Sequence, residues 1–193
     1  NLKKFIYSSS CAIYGQRTND IPITEDTPLL HGTPYALQKL IGEQYTHMYA
    51  KLYGVPTVSL RYANVYGTKR QSEKGGYPNV LAAFSRQKRE DGKLQVTGDG
   101  EQSRDFVHVF DVVEANLVAA LCSTLDGSAY NIGTGVGTSL NAVAKYFNCP
   151  IRHIASRPGE ARHLILDPRH AKDELNWSPK ISLDKGMDIY FNS

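Results

Sequence analysis

The sequence lacks the features that mark membrane proteins, disulfide-rich domains and nucleic-acid-binding proteins. Its most apolar run, residues 117–121, falls far short of the roughly 20 residues that a membrane-spanning helix needs. Only 3 cysteines occur and none form a CxxC pair, so we expect reduced, buried thiols in a cytoplasmic protein. The 22 basic and 19 acidic residues are interspersed. Their net charge of +3 gives no electrostatic reason to expect nucleic acid or an anionic membrane as a partner.

Two ligand-binding patterns are also missing. The 6 histidines show no metal-ligand spacing, and a proline separates His163 from His170, so we predict no metal site. No GxGxxG segment occurs, although that pattern binds the pyrophosphate of dinucleotides. The glycines of residues 133–137 have a different spacing and come late in the chain. We interpret them as a turn that leads into a helix.

The start of the sequence has no methionine and no targeting segment. The first methionine is Met48, and no charged-then-apolar leader precedes the first apolar run at residues 5–7. We therefore expect the 193 residues to begin inside a longer pattern, as a truncated, excised or processed product would.

What the sequence does contain is an alternation of apolar strands and capped helices. Apolar residues make up 41% of the chain, enough for a sizeable core. Residues 5–10 form a β-prone run that ends in three serines, and a helix capped by Thr33 and ended by Gly54 follows. Residues 55–61 form a second apolar strand. Two apolar strands around a helix predict a βαβ unit, with a parallel sheet that is covered on both faces.

The remainder of the chain predicts shorter and more mixed elements. After a polar loop we expect a helix over about 79–90, strands near 94–96 and 106–109, and a helix capped by Asp111. A strand at 130–132, a helix over about 140–147 and a last helix that begins at about Pro168 are expected to follow. We predict that residues 1–67 are the end of a doubly wound parallel sheet. Residues 68–193 are predicted to form a smaller, mixed α/β lobe that is interleaved with it.

Three residues near the start of the first helix form a candidate catalytic group. Tyr35 and Lys39 are four residues apart and project from one helix face. An ammonium beside a phenol favours the phenolate, which is the form that acts as a base. Ser10 ends the preceding strand and can hydrogen-bond the same substrate oxygen. The spacing alone is a weak signal in a chain with 12 tyrosines, but the order of serine, strand end, helix and second strand strengthens it.

Longer stretches of the sequence resemble one family. SSSCAIYG at 8–15, YALQK at 35–39 and RYANVYG at 61–67 resemble the extended short-chain dehydrogenases/reductases, specifically their nucleotide-sugar epimerases. The segments GDG, RDFVHV, YNIG, RPGE and LNW, at 98–100, 104–109, 130–133, 157–160 and 175–177, are similar to the same family's substrate lobe. The matches follow the family's order over nearly the whole chain.

The resemblance implies an NAD-dependent enzyme with the C-terminal part of a Rossmann-like sheet. In that family the residue matching Tyr35 takes the proton from the sugar 4-hydroxyl, and the one matching Ser10 shares its hydrogen bond. The residue matching Lys39 holds the nicotinamide ribose and lowers the pKa of the tyrosine. The expected cofactor-binding set consists of Tyr35 and Lys39 together with Ser8 and Tyr62, although Tyr62 also suits a packing role.

The resemblance also implies a UDP-hexose as substrate. Asn64 is expected to contact the phosphate or the sugar, Arg104 and Arg157 to clamp the diphosphate, and Glu160 to reach the ribose of the nucleotide. Each has a structural alternative: Asn64 can order a loop, the arginines can pair with carboxylates, and Glu160 can be a surface carboxylate.

The residues after the serines favour an epimerase over its relatives. The family's dehydratases carry an Asp-Glu pair where this chain has Cys11 and Ala12, and its decarboxylases carry a glutamate at the Ala12 position. An epimerase needs only one base and a hydride that leaves and returns through a 4-keto intermediate. Leu164 lies near the position that admits or excludes an N-acetyl group, and a leucine leaves glucose and N-acetylglucosamine both open.

About 110 residues of the family pattern, including the glycine-rich turn, have no counterpart in the sequence. Two hypotheses follow. The chain is the C-terminal part of a UDP-glucose 4-epimerase that works only with the remainder, or it is a non-catalytic fragment that binds a nucleotide sugar or associates with itself. We expect the isolated chain to be inactive, and to form a homodimer or another association through the exposed sheet edge.

Overall fold

Helices and strands alternate along most of the chain. The structure, a computed structural model, describes residues 2–30, 32–68, 79–123, 125–156 and 160–193. The strands are β1 (Phe5–Ser10), β2 (Thr57–Tyr62), β3 (Asn64–Tyr66), β4 (Leu94–Thr97), β5 (Ser103–His108), β6 (Ala129–Ile132), β7 (Gly137–Ser139), β8 (Ile151–Ile154) and β9 (His163–Leu164). The helices are α1 (Pro34–Tyr53), α2 (Val80–Asp91), α3 (Val109–Leu121), α4 (Leu140–Lys145), α5 (Arg169–Leu175) and α6 (Leu183–Asn192). A 3-10 helix, Cys11–Tyr14, follows β1.

The predicted βαβ unit is confirmed. β1, β2 and β6 form a parallel sheet in that order. Successive side chains of β1 point to opposite faces: Ser9 bonds to Glu43 of α1, whereas Ser8 bonds to Tyr62, which in turn bonds to Asn116 of α3. The two helices therefore cover the two faces of the sheet. The carboxyl ends of its strands meet at one edge, where ligands bind in open α/β sheets.

Two further sheets form the rest of the structure. β3 and β5 are parallel, and β5 also pairs with β7 and β9, while β4 and β8 form a separate parallel pair. One apolar core surrounds the first sheet and includes the single tryptophan, Trp177. A second core lies around Phe84, Phe106 and Phe147.

The ends of α1 are set by local chemistry, as predicted. The Thr33 hydroxyl accepts a hydrogen bond from the Ala36 N–H at 3.1 Å, and Pro34 begins the helix. Gly54 ends it in the left-handed region at φ 62°. No helix within the described residues is long and apolar enough to cross a membrane.

Two buried carboxylates, Asp105 and Asp111, accept hydrogen bonds from backbone amides. Asp105 accepts hydrogen bonds from the N–H groups of Thr134, Gly135 and Leu166, so the amides of the 133–135 turn face an internal carboxylate. Asp111 does not cap α3 as the sequence predicts. The side chain of His108 has that role, and Asp111 instead accepts from the N–H groups of Lys180 and Ile181, which are distant in sequence.

Candidate functional site

Tyr35 and Lys39 lie together beside the end of β1. The Lys39 ammonium donates to the Ser8 carbonyl at 2.8 Å and lies 5.8 Å from the centre of the Tyr35 ring. Tyr35 is 51% exposed, so its phenol remains accessible to a substrate. An ammonium has three donors, and Ser8 is the one acceptor for Lys39 among the described residues. The same ammonium lies 5.5 Å from the centre of the Tyr7 ring.

Ser10 ends β1 and positions its hydroxyl through the backbone that follows. Its oxygen accepts from the Ala12 N–H at 3.2 Å and caps the 3-10 helix. The next residue, Cys11, is buried, and burial with the nearby Asp105 charge raises the pKa of its thiol to about 12. Cys11 therefore stays a neutral thiol and supplies neither an acid nor a base at neutral pH.

The side chains of Ser8 and Tyr62 face α3. The Tyr62 hydroxyl donates to the Asn116 side-chain oxygen at 3.0 Å and lies 3.2 Å from the Ser8 hydroxyl. Because Tyr62 pairs in register with Ser10, its backbone lies at the same edge of the sheet as the candidate base. The structure thus brings the backbone of both residues to the site and uses their hydroxyls in packing between β1, β2 and α3.

Arg104 and Glu160 form a second group of candidate residues. Their nearest charged atoms are 3.5 Å apart, with side chains 14% and 24% exposed. The second Glu160 oxygen accepts from the Thr97 hydroxyl at 3.1 Å. Burial lowers the pKa of Arg104, and the charge of Glu160 opposes that effect. Glu160 also lines an open cavity of about 540 Å³, together with Gly98, Gln102 and Arg162.

Arg104 lies near the end of the first strand. The charges of Arg104 and Asp105 both act on the Cys11 thiol, which directly follows Ser10. Asn64 donates to the Asp105 carbonyl at 3.2 Å, and this bond joins β3 to β5. This contact between two strands gives Asn64 a structural role, and its contact with a ligand stays a prediction.

Two positions that the sequence singled out need separate mention. Arg157 lies outside the described residues. Leu164 is 9% exposed, and it pairs in register with Arg104 where β9 joins β5. Its side chain belongs to the core around the first sheet. Within the described residues, no group of three or more His, Cys, Asp or Glu side chains is arranged to hold a metal ion.

Sequence analysis missed the buried ion pair behind the site. Glu43 of α1 and Arg61 of β2 have side chains 6% and 8% exposed. Arg61 Nε donates to both Glu43 oxygens at 3.1 and 3.2 Å, and Ser9 donates to Glu43 at 2.8 Å. A second Arg61 nitrogen donates to the Tyr14 hydroxyl at 2.8 Å. One charged residue in an otherwise uncharged, buried strand was the signal for such a pair.

Comparisons with known proteins identify the family of this chain. The model of the NAD dependent epimerase/dehydratase family matches residues 1–133. A putative UDP-glucose 4-epimerase of Methanocaldococcus jannaschii is 37% identical, over all of this chain and 63% of its own length. The UDP-glucose 4-epimerase of Bacillus subtilis is 34% identical, over 95% of this chain and 60% of its own. The chain thus spans about three fifths of the length of these relatives.

Solved structures of nucleotide-sugar 4-epimerases also match this chain. The UDP-glucose 4-epimerase of Thermotoga maritima, solved with UDP-glucose, superposes with a TM-score of 0.88 at 38% identity and covers 98% of this chain and 63% of its own. The UDP-glucuronic acid 4-epimerase of Bacillus cereus was solved with UDP-glucuronic acid and NAD. It superposes with a TM-score of 0.87 at 29% identity, and the match covers 100% of this chain and 61% of that enzyme's chain. This chain belongs to the NAD-dependent epimerase/dehydratase family, and it has the fold of the C-terminal part of those enzymes.

Proposed function

We propose that the chain is the acid–base and substrate-binding part of a nucleotide-sugar 4-epimerase of the UDP-glucose/UDP-galactose type. The observation that carries the proposal is the half-exposed Tyr35 phenol beside the Lys39 ammonium, at the carboxyl end of β1. A phenol in this setting can exchange a proton with a sugar hydroxyl.

In the proposed reaction Tyr35 accepts the proton of the sugar 4-hydroxyl, and Ser10 hydrogen-bonds the same oxygen. Tyr35 later returns the proton to the oxygen of the 4-keto sugar. Bound NAD supplies the removal and return of hydride at the sugar carbon. Lys39, with backbone atoms of Ser8 and Tyr62, is proposed to hold the ribose of that cofactor.

The same proposal assigns the substrate's nucleotide to the second group of residues. Arg104 and Arg157 are proposed to bind the diphosphate through bidentate contacts, and Glu160 the ribose hydroxyls. Asn64 contacts the phosphate or sugar while its amide stays bonded to β5. The role of Arg157 in binding the diphosphate is proposed from the sequence alone.

The chemistry around Ser10 supports an epimerase rather than a dehydratase. Elimination of water needs a carboxylate acid–base pair at positions 11 and 12, and this chain has a thiol and a methyl group there. Since burial holds the pKa of Cys11 near 12, that thiol does not replace the missing carboxylate.

We further propose that these 193 residues on their own do not turn over, and that they associate. Within the described residues β1 pairs on one side only. Apolar side chains on α1 and α3 are also exposed: Leu37 41%, Ile41 48%, Leu52 67%, Phe110 55% and Leu117 58%. Such surface favours burial against another molecule. Light scattering checks this, and a stable monomer with little binding of an apolar dye would contradict it.

Activity is tested with UDP-galactose and excess NAD, by measuring UDP-glucose. We expect no turnover by the chain alone. We expect turnover when it is fused to the amino-terminal part of a relative such as the Bacillus subtilis enzyme. In the fusion, Tyr35→Phe should lower kcat about 10²–10⁴-fold, as loss of acid–base catalysis does. Tyr45→Phe, on the same helix and 58% exposed, is the matched control. Equal activity of the two variants would refute the role of Tyr35.

A further inference from the structure

Glu160 is held by both of its carboxylate oxygens. One lies 3.5 Å from Arg104, and the other accepts from the Thr97 hydroxyl at 3.1 Å. An ionised carboxylate offers about four lone-pair positions. The two contacts fix the plane of the group and leave about half of its accepting positions for a ligand. Two free acceptor positions on one fixed carboxylate suit a pair of neighbouring hydroxyls.

The direction of the Thr97 hydroxyl is set by Gln102. The Gln102 amide donates to the Thr97 hydroxyl oxygen at 3.0 Å and to the Thr97 carbonyl at 2.9 Å. A hydroxyl has a single hydrogen, and since its oxygen already accepts from Gln102, that hydrogen is directed to Glu160. The result is a chain of hydrogen bonds, Gln102 to Thr97 to Glu160, in which each bond polarises the next.

The surroundings make this relay rigid. Thr97 and Gln102 are 7% and 4% exposed. Thr97 ends β4, which is paired with β8, and Gln102 directly precedes β5, which carries Arg104. A turn with glycines in the left-handed region, at φ 61° for Gly98 and 75° for Gly100, joins the two. Both contacts to Glu160 therefore come from side chains that are carried on strands, Thr97 on β4 and Arg104 on β5.

We propose that Thr97 and Gln102 are positioning residues that hold Glu160 to accept a ribose diol, so that the site selects ribonucleotide over 2′-deoxyribonucleotide diphosphate sugars. This inference rests on the proposed nucleotide-sugar site. A ligand without the 2′-hydroxyl leaves one accepting position of a half-buried carboxylate unfilled, and an unfilled hydrogen bond to a charged group is costly. Without the relay Glu160 turns, and the two ligands become equivalent.

The test measures binding of UDP and of 2′-deoxy-UDP to the whole chain by calorimetry. We expect the natural chain to prefer UDP by about tenfold, the effect of one lost hydrogen bond to a charged group. Thr97→Val removes the hydroxyl and keeps the shape. It should weaken UDP binding about fivefold to tenfold, leave 2′-deoxy-UDP binding unchanged and so abolish the preference. Thr97→Ser should restore it. Thr57→Val is the matched control, since the buried Thr57 hydroxyl bonds to the Thr46 carbonyl away from this site.

A measurement without ligand distinguishes this inference from the proposed function. The carboxyl ¹³C resonance of Glu160 should move in Thr97→Val and in Gln102→Leu, but not in Thr57→Val. The relay would be overturned if Thr97→Val left the preference for UDP unchanged, or if the Glu160 resonance did not move in that variant. Either result would leave the proposed nucleotide site intact. Failure of the natural chain to bind either nucleotide at millimolar concentration would overturn the proposed function and this inference with it.

Discussion

Removing the charge of Glu43 tests whether the buried ion pair holds α1 on the sheet. Burial acts to lower the pKa of Arg61, but its hydrogen bonds and charge interactions with Glu43 and Tyr14 raise that pKa above its ordinary value. Arg61 thus remains charged in the core. Glu43→Gln keeps the size of the side chain and leaves this guanidinium without a counter-charge.

The magnitude follows from the burial and from the number of bonds at stake. Glu43 and Arg61 are both buried, and Glu43 accepts from both Arg61 and Ser9. Removing one partner of such a pair costs about 3–5 kcal/mol. The free energy of unfolding of a native domain is about 5–15 kcal/mol, so the loss should be at least about a fifth of it.

Urea unfolding followed by fluorescence measures this loss directly. Trp177 is the single tryptophan and is 1% exposed, so its emission reports the native core. The control is Glu90→Gln, because Glu90 and Arg86 form an exposed pair at 4.0 Å that should contribute at most about 0.5 kcal/mol. The double variant Glu43→Met with Arg61→Met should recover part of the loss, since no lone charge remains. The reasoning would be refuted if Glu43→Gln lowered the free energy of unfolding by less than about 1 kcal/mol and by no more than the control variant does.

Two further predictions concern titration. Because burial raises the pKa of Cys11 to about 12, thiol reagents at pH 8 should modify the half-buried Cys122 and Cys149 first. Peptide mass mapping would contradict this if Cys11 were labelled as fast as Cys149. Hydrogen bonds from the Arg162 side chain and the Glu101 N–H lower the pKa of Asp99 to about 2. Because the pKa of Asp99 is lower in the folded protein, the ionised carboxylate stabilises the fold at pH values above its pKa in the unfolded chain, about 4. That contribution disappears as the pH falls towards 2. A carboxyl ¹³C titration should show the low pKa and its return towards the ordinary value in Arg162→Gln, and an unchanged midpoint would refute the pairing.

The elements that sequence analysis predicted well are those with local signals. α1 is fixed by the Thr33 cap and by Gly54, and both act within a few residues of the helix ends. The short strands β3, β7 and β9 have two or three residues each and exist only because β5 pairs with them, so no local pattern marks them. α6 was missed although Ser182 accepts from the Lys185 N–H and caps it.

Buried polar side chains were the main source of error. The sequence places Asp111 where a helix cap is expected, but burial against the 180–181 segment outweighs that local role. The carboxylates of Asp105 and Glu43 likewise bind partners 18 or more residues away. A charged residue in an apolar context indicates that a partner must exist. Which residue it is depends on how the elements pack, and that information is absent from local spacing.

Tyr35, Lys39 and Glu43 show how the buried and reactive parts of α1 are connected. They are four residues apart, and each step of four advances the helix by about 40° around its axis. Their face therefore turns gradually from solvent into the sheet: Tyr35 is 51% exposed, Lys39 is half-buried and Glu43 is 5% exposed. A proton-transferring phenol must remain accessible, yet its position must be fixed to within a fraction of an ångström. Anchoring the same face two turns further on, by an ion pair in the core, meets both requirements. For that reason a change at Glu43 should disturb Tyr35 as well as stability.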